Sequence, residues 1–114
     1  MHEMTIVTSI LAIARQRADA AGAAVITSVE VEVGRLAGVE IPALEFCFLA
    51  ARGHELGEQA ELIIREIPGL GRCPACAAES AMDFYAAVCP ACGKAALEVV
   101  QGRELRVRSI KVED

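Results

Sequence analysis

Cys73-Pro74-Ala75-Cys76, twelve residues, then Cys89-Pro90-Ala91-Cys92-Gly93: this stretch, from Arg72 to Lys94, decides how the chain folds. Each Cys-x-x-Cys pair offers two thiolates from one tight turn, so two pairs can close a tetrahedron round one ion. Proline stiffens each turn, and Gly93 can take the positive φ that aims backbone N–H groups at the sulfurs. Four thiolates select Zn²⁺ over harder ions and leave no open position for a substrate. The loop between the pairs is a little shorter than the commonest zinc spacing. It is still long enough for a hairpin that brings them together.

Two disulfides or a redox dithiol are the alternatives for these cysteines, and disulfides need an oxidising compartment. The start, Met1-His2-Glu3-Met4, lacks the basic and apolar regions of a secretory leader. No apolar run approaches the ~18 residues of a membrane span. The chain is therefore expected to be soluble and cytoplasmic, where thiols stay reduced and a duplicated Cys-x-x-Cys holds metal.

The zinc stretch carries few large apolar residues, and a module below about 40 residues rarely folds without a metal or disulfide. Structural zinc supplies on the order of 10–16 kcal/mol in comparable peptides, enough to fold it. The 114 residues thus divide into residues 69–101, an inserted zinc domain, and residues 1–68 plus 102–114. A net charge of −5 argues against phosphate binding, which wants a basic footprint.

Outward from the insert, Met4, Val7, Ile10, Leu11, Ala14, Ala18 and Ala21 recur at helical spacing, and Gly22 supplies a stop. Val29, Val31 and Val33 alternate with Glu30 and Glu32, which predicts a half-buried strand over 25–33. Pro42 suits a first helical residue, and a short, nearly all-apolar helix is expected over 43–51, ending at Gly53. Residues 60–67 and 103–112 read as two further strands, the last changing parity between Val107 and Ile110. That change predicts a bulge near Ser109 or a switch of covering partner. The expected fold is α+β: two helices on one face of a three-stranded mixed sheet, with a zinc-ribbon or rubredoxin-like domain inserted before the last strand. The other face, with Glu30, Glu32, Arg106 and Arg108, would be solvated and held by charge pairs.

With zinc satisfied, the remaining soft or borderline ligands are His2, His54, Cys47 and the methionines. His2 stands out by position. A histidine at residue 2 lets the α-amine, its own amide nitrogen and its imidazole close fused chelate rings. Completed by another amide or a carboxylate, such a set suits square-planar Ni²⁺ or Cu²⁺. Glu3 and Glu40 are candidates for that carboxylate or for tuning the site from outside. The bland alternative is an exposed imidazole that binds nothing. His54 reads as solvated or capping, and Cys47 as a small core residue. No nucleophile–base pair and no phosphate-cradling glycine loop is present, so no enzymatic activity is expected.

The opening Met1-His2-Glu3-Met4 before an apolar helix resembles that of the HypA/HybF family of hydrogenase-maturation nickel chaperones. Val31-Glu32-Val33-Gly34-Arg35-Leu36, Leu44-Glu45-Phe46-Cys47-Phe48, both Cys-Pro-Ala-Cys knuckles and Gly102-Arg103-Glu104-Leu105 add to the resemblance along the whole chain. It implies that His2 is the principal nickel ligand, beside the Met1 amine and the amides of His2 and Glu3. Glu40 is the expected neighbour. The resemblance implies a nickel carrier that delivers Ni(II) to the [NiFe]-hydrogenase large subunit precursor, works with a HypB-type GTPase and holds structural Zn(II) at Cys73, Cys76, Cys89 and Cys92. Urease maturation proteins are further candidate partners, and the carrier would be a monomer or a homodimer. Ala77, where the family's first knuckle has glycine, departs from the pattern and bears on that turn's geometry.

Two other functions compete. A zinc ribbon contacting nucleic acid would use Phe84 and Tyr85 for stacking, yet two aromatics on a hairpin more often cover the knuckles. Between Gly69 and Gln101 only Arg72 and Lys94 are basic, against Glu79, Asp83 and Glu98. A redox switch would oxidise the knuckle thiols and release zinc.

Overall fold

The structure, a computed structural model, describes residues 3–85 and 87–113. Its elements in order are α1 (Glu3–Ala20), β1 (Val25–Gly34), α2 (Ile41–Glu55), β2 (Glu61–Ile67), β3 (Leu70–Arg72), β4 (Glu79–Ala81), β5 (Glu98–Gln101) and β6 (Leu105–Glu113). They form two compact units. One comprises Met1–Glu32, Val39–Arg65 and Arg106–Asp114, the other Val33–Gly38 and Glu66–Leu105.

In the first unit α1 buries Ile6, Val7, Ile10, Leu11, Ala14 and Ala18, a stripe of three- and four-residue steps. Met4, expected in that stripe, is 43% exposed, and Ile6 takes the buried position. The helix ends as Gly22 predicts. With φ +70 there, the Ala23 N–H reaches the Ala18 carbonyl at 2.9 Å and the Gly22 N–H reaches that of Asp19 at 3.0 Å. This double closure satisfies carbonyls that would otherwise be orphaned.

Helix α2 starts as Pro42 requires but runs past Gly53 to Glu55, four residues beyond the expected end. The left-handed residue is Gly57, at φ +92. Its N–H and that of Leu56 both donate to the Arg52 carbonyl. A helix passes an internal glycine at a cost of only about 1 kcal/mol. Continuing it buries Leu56 and lets the Arg15 guanidinium donate to the Glu55 carbonyl at 3.1 Å. Of the helix's apolar run only Leu44 and Phe48 are buried; Phe46 stands 72% and Leu49 57% exposed.

The first sheet has the order β2-β1-β6. At their C-terminal ends β1 and β2 run together, the Arg35 N–H donating to the Ile67 carbonyl, while the Gly34 N–H at the end of β1 meets the Glu104 carbonyl before the start of β6. Hence the sheet is mixed, with α2 as the crossover between its parallel pair. Val29, Val31 and Val33 are almost wholly buried. On the other face Glu30 lies 3.8 Å from Arg65 and 3.4 Å from Arg108, and Glu32 pairs with Arg106. Burial changes phase in β6 as predicted, from Val107 to Ile110, and it does so in β1 as well, from Ile26 and Ser28 to Val29 and Val31.

In the second unit a separate antiparallel sheet, β4-β3-β5, was not expected from the sequence. Arg72 faces Glu79 and Glu98, and Gly71 faces Ser80 and Val99. Gly71 is the central residue because a Cβ there would collide with the Met82 sulfur. Leu36, Cys73, Met82, Cys89 and Leu97 form the core of this unit, with Ala87, Cys92, Ala95 and Val99 packed against it. Met82 and Leu97, rather than the aromatics, cover the knuckles. Phe84 is 66% exposed, and Tyr85 turns its hydroxyl to the Leu36 carbonyl at 2.8 Å, its ring beneath the Arg103 guanidinium.

Candidate metal centres

The two knuckles close alike. After β3, the Ala77 N–H donates to the Cys73 carbonyl and the Cys73 N–H to that of Ala78; after the bridge at Val88, the Gly93 N–H donates to Cys89 and the Cys89 N–H to Ala95. Ala77 adopts φ +66 and Gly93 φ +67. The departure at position 77 therefore leaves the turn's shape intact and places alanine in the left-handed region. Each turn folds the chain tightly enough to bring the second cysteine beside the first. N–H groups of Ala75 and Cys76 point at the Cys73 sulfur, at 3.3 and 3.4 Å.

All four sulfurs lie within 4.8 Å of one another, with Cys73 to Cys92 at 3.6 Å and Cys76 to Cys89 at 3.7 Å. A Zn–S bond of about 2.3 Å implies a tetrahedron edge of about 3.8 Å. The cluster is therefore the size of a zinc site, and its contacts are far too long for disulfides, whose sulfurs sit about 2 Å apart. Every cysteine is free. The donor set, four soft thiolates with Cys73 and Cys89 buried, fits structural zinc.

Electrostatics inside the cluster explain why a cation completes it. The Cys92 N–H draws the Cys89 thiol from 9.0 down to about 6, against the cost of burial and with help from the Ala91 N–H. At Cys76 the Ala78 N–H pulls the same way but is outweighed by the Cys73 sulfur, desolvation and the Cys89 and Cys92 sulfurs, which raise it to about 11. Amides thus hold Cys89 as the thiolate while Cys76 resists further negative charge. A divalent cation reverses that balance by deprotonating the thiols it binds, so uptake releases protons and acid favours release of the ion.

The second set of candidate ligands is only partly described: Met1 and His2 lie outside the described residues. Glu3 opens the first turn of α1, and Glu40 is the N-cap of α2, with no side-chain capping bond of its own. These two are brought together across 37 residues of chain, the Glu40 N–H donating to Glu3 Oε2 at 3.4 Å. In sequence the proline two residues after Glu40 hinted at this, by fixing where α2 begins. His54 is exposed near the end of α2, and Cys47 is half-buried within it, remote in sequence from the knuckles.

The family described as "Hydrogenase/urease nickel incorporation, metallochaperone, hypA" matches residues 1–112. The chain belongs to the HypA family. It is 46% identical over 113 residues to the hydrogenase maturation factor HypA of Chlorobaculum tepidum, covering 99% of this chain and all of that protein. The corresponding factor of Geotalea uraniireducens is 42% identical over 113 residues, with the same coverage. A solution structure of a HypA protein superposes with a TM-score of 0.70 at 26% identity, over 99% of this chain and 97% of the other. The solution structure of the Helicobacter pylori nickel metallochaperone HypA shares the fold, with a TM-score of 0.69 at 24% identity and 98% and 97% coverage. HypA proteins form a metallochaperone family acting in nickel incorporation, and the four-cysteine cluster of this member fits structural zinc beside that role. Among the described residues no helix is long and apolar enough to cross a membrane.

Proposed function

We propose that this chain is a cytoplasmic, non-enzymatic nickel carrier. It takes up Ni(II) at its amino terminus and hands it to the precursor of a [NiFe]-hydrogenase large subunit. Supporting this above all is the family match, which begins at Met1 and takes in His2. In this reading the Met1 amine, the His2 imidazole and the amides of His2 and Glu3 hold the ion. Glu40 stands beside Glu3, with which its N–H is hydrogen-bonded.

Loading and release follow from proton competition. The α-amine, with a pKa of roughly 8, and the imidazole, roughly 6.5, must both be deprotonated to bind. Nickel affinity therefore falls as pH drops through that window, and a carrier needs such a reversible grip. A HypB-type GTPase is the partner that loads or triggers it, and urease maturation proteins are a second set of acceptors. Zinc at Cys73, Cys76, Cys89 and Cys92 stays bound throughout and folds residues 69–101 as a domain inserted into the nickel domain of residues 1–68 and 102–114.

Equilibrium dialysis of the untagged, native-start protein tests the assignment. One Zn and one Ni per chain are expected. His2→Ala, or one residue added before Met1, abolishes stoichiometric nickel binding and leaves zinc in place. Undiminished nickel affinity in either variant would refute the amino-terminal site.

A further inference from the structure

One arginine is only partly satisfied. Among the described residues, Arg52 Nε is the buried side-chain nitrogen or oxygen that has no hydrogen-bond partner. The Arg52 guanidinium donates from Nη1 to the Ala60 carbonyl at 2.7 Å and joins none of the ion pairs among the described residues. With Nη1 occupied, the open side of the guanidinium is the fork of Nε and Nη2, whose parallel N–H bonds match the two oxygens of a carboxylate. A buried donor without an acceptor bears its full desolvation cost, so an acceptor supplied from outside gains more there than on an open surface.

Arg52 lines a groove of about 350 Å³ between α2 and β2, together with Glu45, Phe48, Leu49, Glu61 and Leu62. That volume falls within the range of small-molecule sites. Glu45, Leu49 and Arg52 follow one another by four and three residues, so they share one face of α2. Leu49 is 57% exposed, Leu62 is half-buried and Phe48 is wholly buried, which gives the groove apolar walls. Glu45 and Glu61 are exposed, and neither makes an ion pair among the described residues. One cation and two anions thus face a small apolar space, each without a partner of opposite charge.

This charge pattern selects the occupant. A plain carboxylic acid would satisfy Arg52 but bring its charge beside two carboxylates. A plain amine would satisfy a carboxylate and leave Arg52 as it is. A residue inside a peptide carries neither backbone charge, whereas a free α-amino acid carries both on one carbon. We propose that the groove binds a free α-amino acid with an apolar side chain. Its carboxylate takes Nε and Nη2 of Arg52, and its ammonium takes Glu61, next in sequence to the carbonyl that holds Nη1. The side chain lies along Phe48, Leu49 and Leu62, and Glu45 repels ligands whose own side chain is acidic.

An NMR titration of the untagged, zinc-loaded, nitrogen-labelled chain with L-leucine tests this. Saturable shifts are expected at the Arg52 Nε–H resonance and at the amides of Leu49, Arg52, Glu61 and Leu62, with a Kd on the order of 1 mM for so small a ligand. N-acetyl-L-leucine lacks the ammonium, L-leucinamide lacks the carboxylate, and L-glutamate adds an acidic side chain. Each binds more weakly than L-leucine by about tenfold or more. Glu61→Lys and Leu49→Asp, both at exposed positions, weaken L-leucine binding to the same degree with unchanged circular dichroism and thiol protection. Arg52→Gln does so too, and because Arg52 also holds the Ala60 carbonyl, the ligand series on the wild-type chain carries the test independently of it. No saturable shift by tens of millimolar, equal binding of L-leucine and its two derivatives, or undiminished binding to the Glu61→Lys chain would each overturn the proposal.

Discussion

Ala77 and Gly93 occupy equivalent places in the two knuckles and share one backbone conformation, yet only one of them is suited to it. For an L-residue the left-handed region costs roughly 1–2 kcal/mol, because Cβ approaches the following carbonyl oxygen. No heavy atom lies within 4 Å of where a Cβ on Gly93 would sit, so a substitution there meets strain alone. Gly93→Ala meets that strain but regains about 0.4–1 kcal/mol through a less free unfolded chain, so it is expected to lower the stability of the zinc-loaded knuckle by up to about 1 kcal/mol. Ala77→Gly relieves the same strain but adds about 0.4–1 kcal/mol of freedom to the unfolded chain. Its expected effect is a gain of up to about 1 kcal/mol. Thermal unfolding of both variants with zinc bound checks the pair, and opposite signs are the signature. Sequence alone shows that residue 77 departs from glycine. It does not show that the hydrogen bonds to Cys73 and Ala78 impose the conformation whichever residue is there.

At the scale of elements, strongly periodic stretches were legible and their ends were not. The α1 stripe, the Val29-Val31-Val33 face and the start of α2 beside Pro42 each follow from one local rule, and all are present. The end of α2 depended on Leu56 reaching the core and Arg15 reaching the Glu55 carbonyl, both non-local. Strands β3 to β5, three or four residues each, are too short to show periodicity and exist because the knuckles hold their ends. The charged face of the first sheet was legible in kind, but Arg65 as a second partner of Glu30 was not. Glu30 sits between Arg65 and Arg108, and both arginines are about half exposed, so solvent screens the pairs. Exposed pairs of this sort contribute roughly 0–1 kcal/mol each. Glu30→Gln is accordingly expected to cost no more than about 1 kcal/mol in urea unfolding, a loss that shrinks further in molar salt. A larger cost that persists in salt would mean that the carboxylate acts through packing.

Across the whole molecule, the two units draw on different sources of stability. Buried side chains Val7, Val29, Val31, Leu44 and Phe48 give the first unit an apolar core of its own. In the second, two of the five core residues are the ligand cysteines Cys73 and Cys89. Without an ion the cluster confines four sulfurs whose charges oppose one another, and Leu36, Met82 and Leu97 are little apolar surface with which to hold them. Removing zinc with a strong chelator at neutral pH should therefore expose four thiols to titration and melt β3, β4 and β5. Helical circular dichroism from α1 and α2 should largely survive. Acid should act in the same direction, since falling pH returns protons to the sulfurs and competes with the ion. Backbone amide exchange read residue by residue decides the matter: rapid exchange after chelation is expected over 70–101, with protection retained at Val7, Ile10 and Val31. Loss of protection everywhere at once would show that the two units unfold together, as one cooperative body.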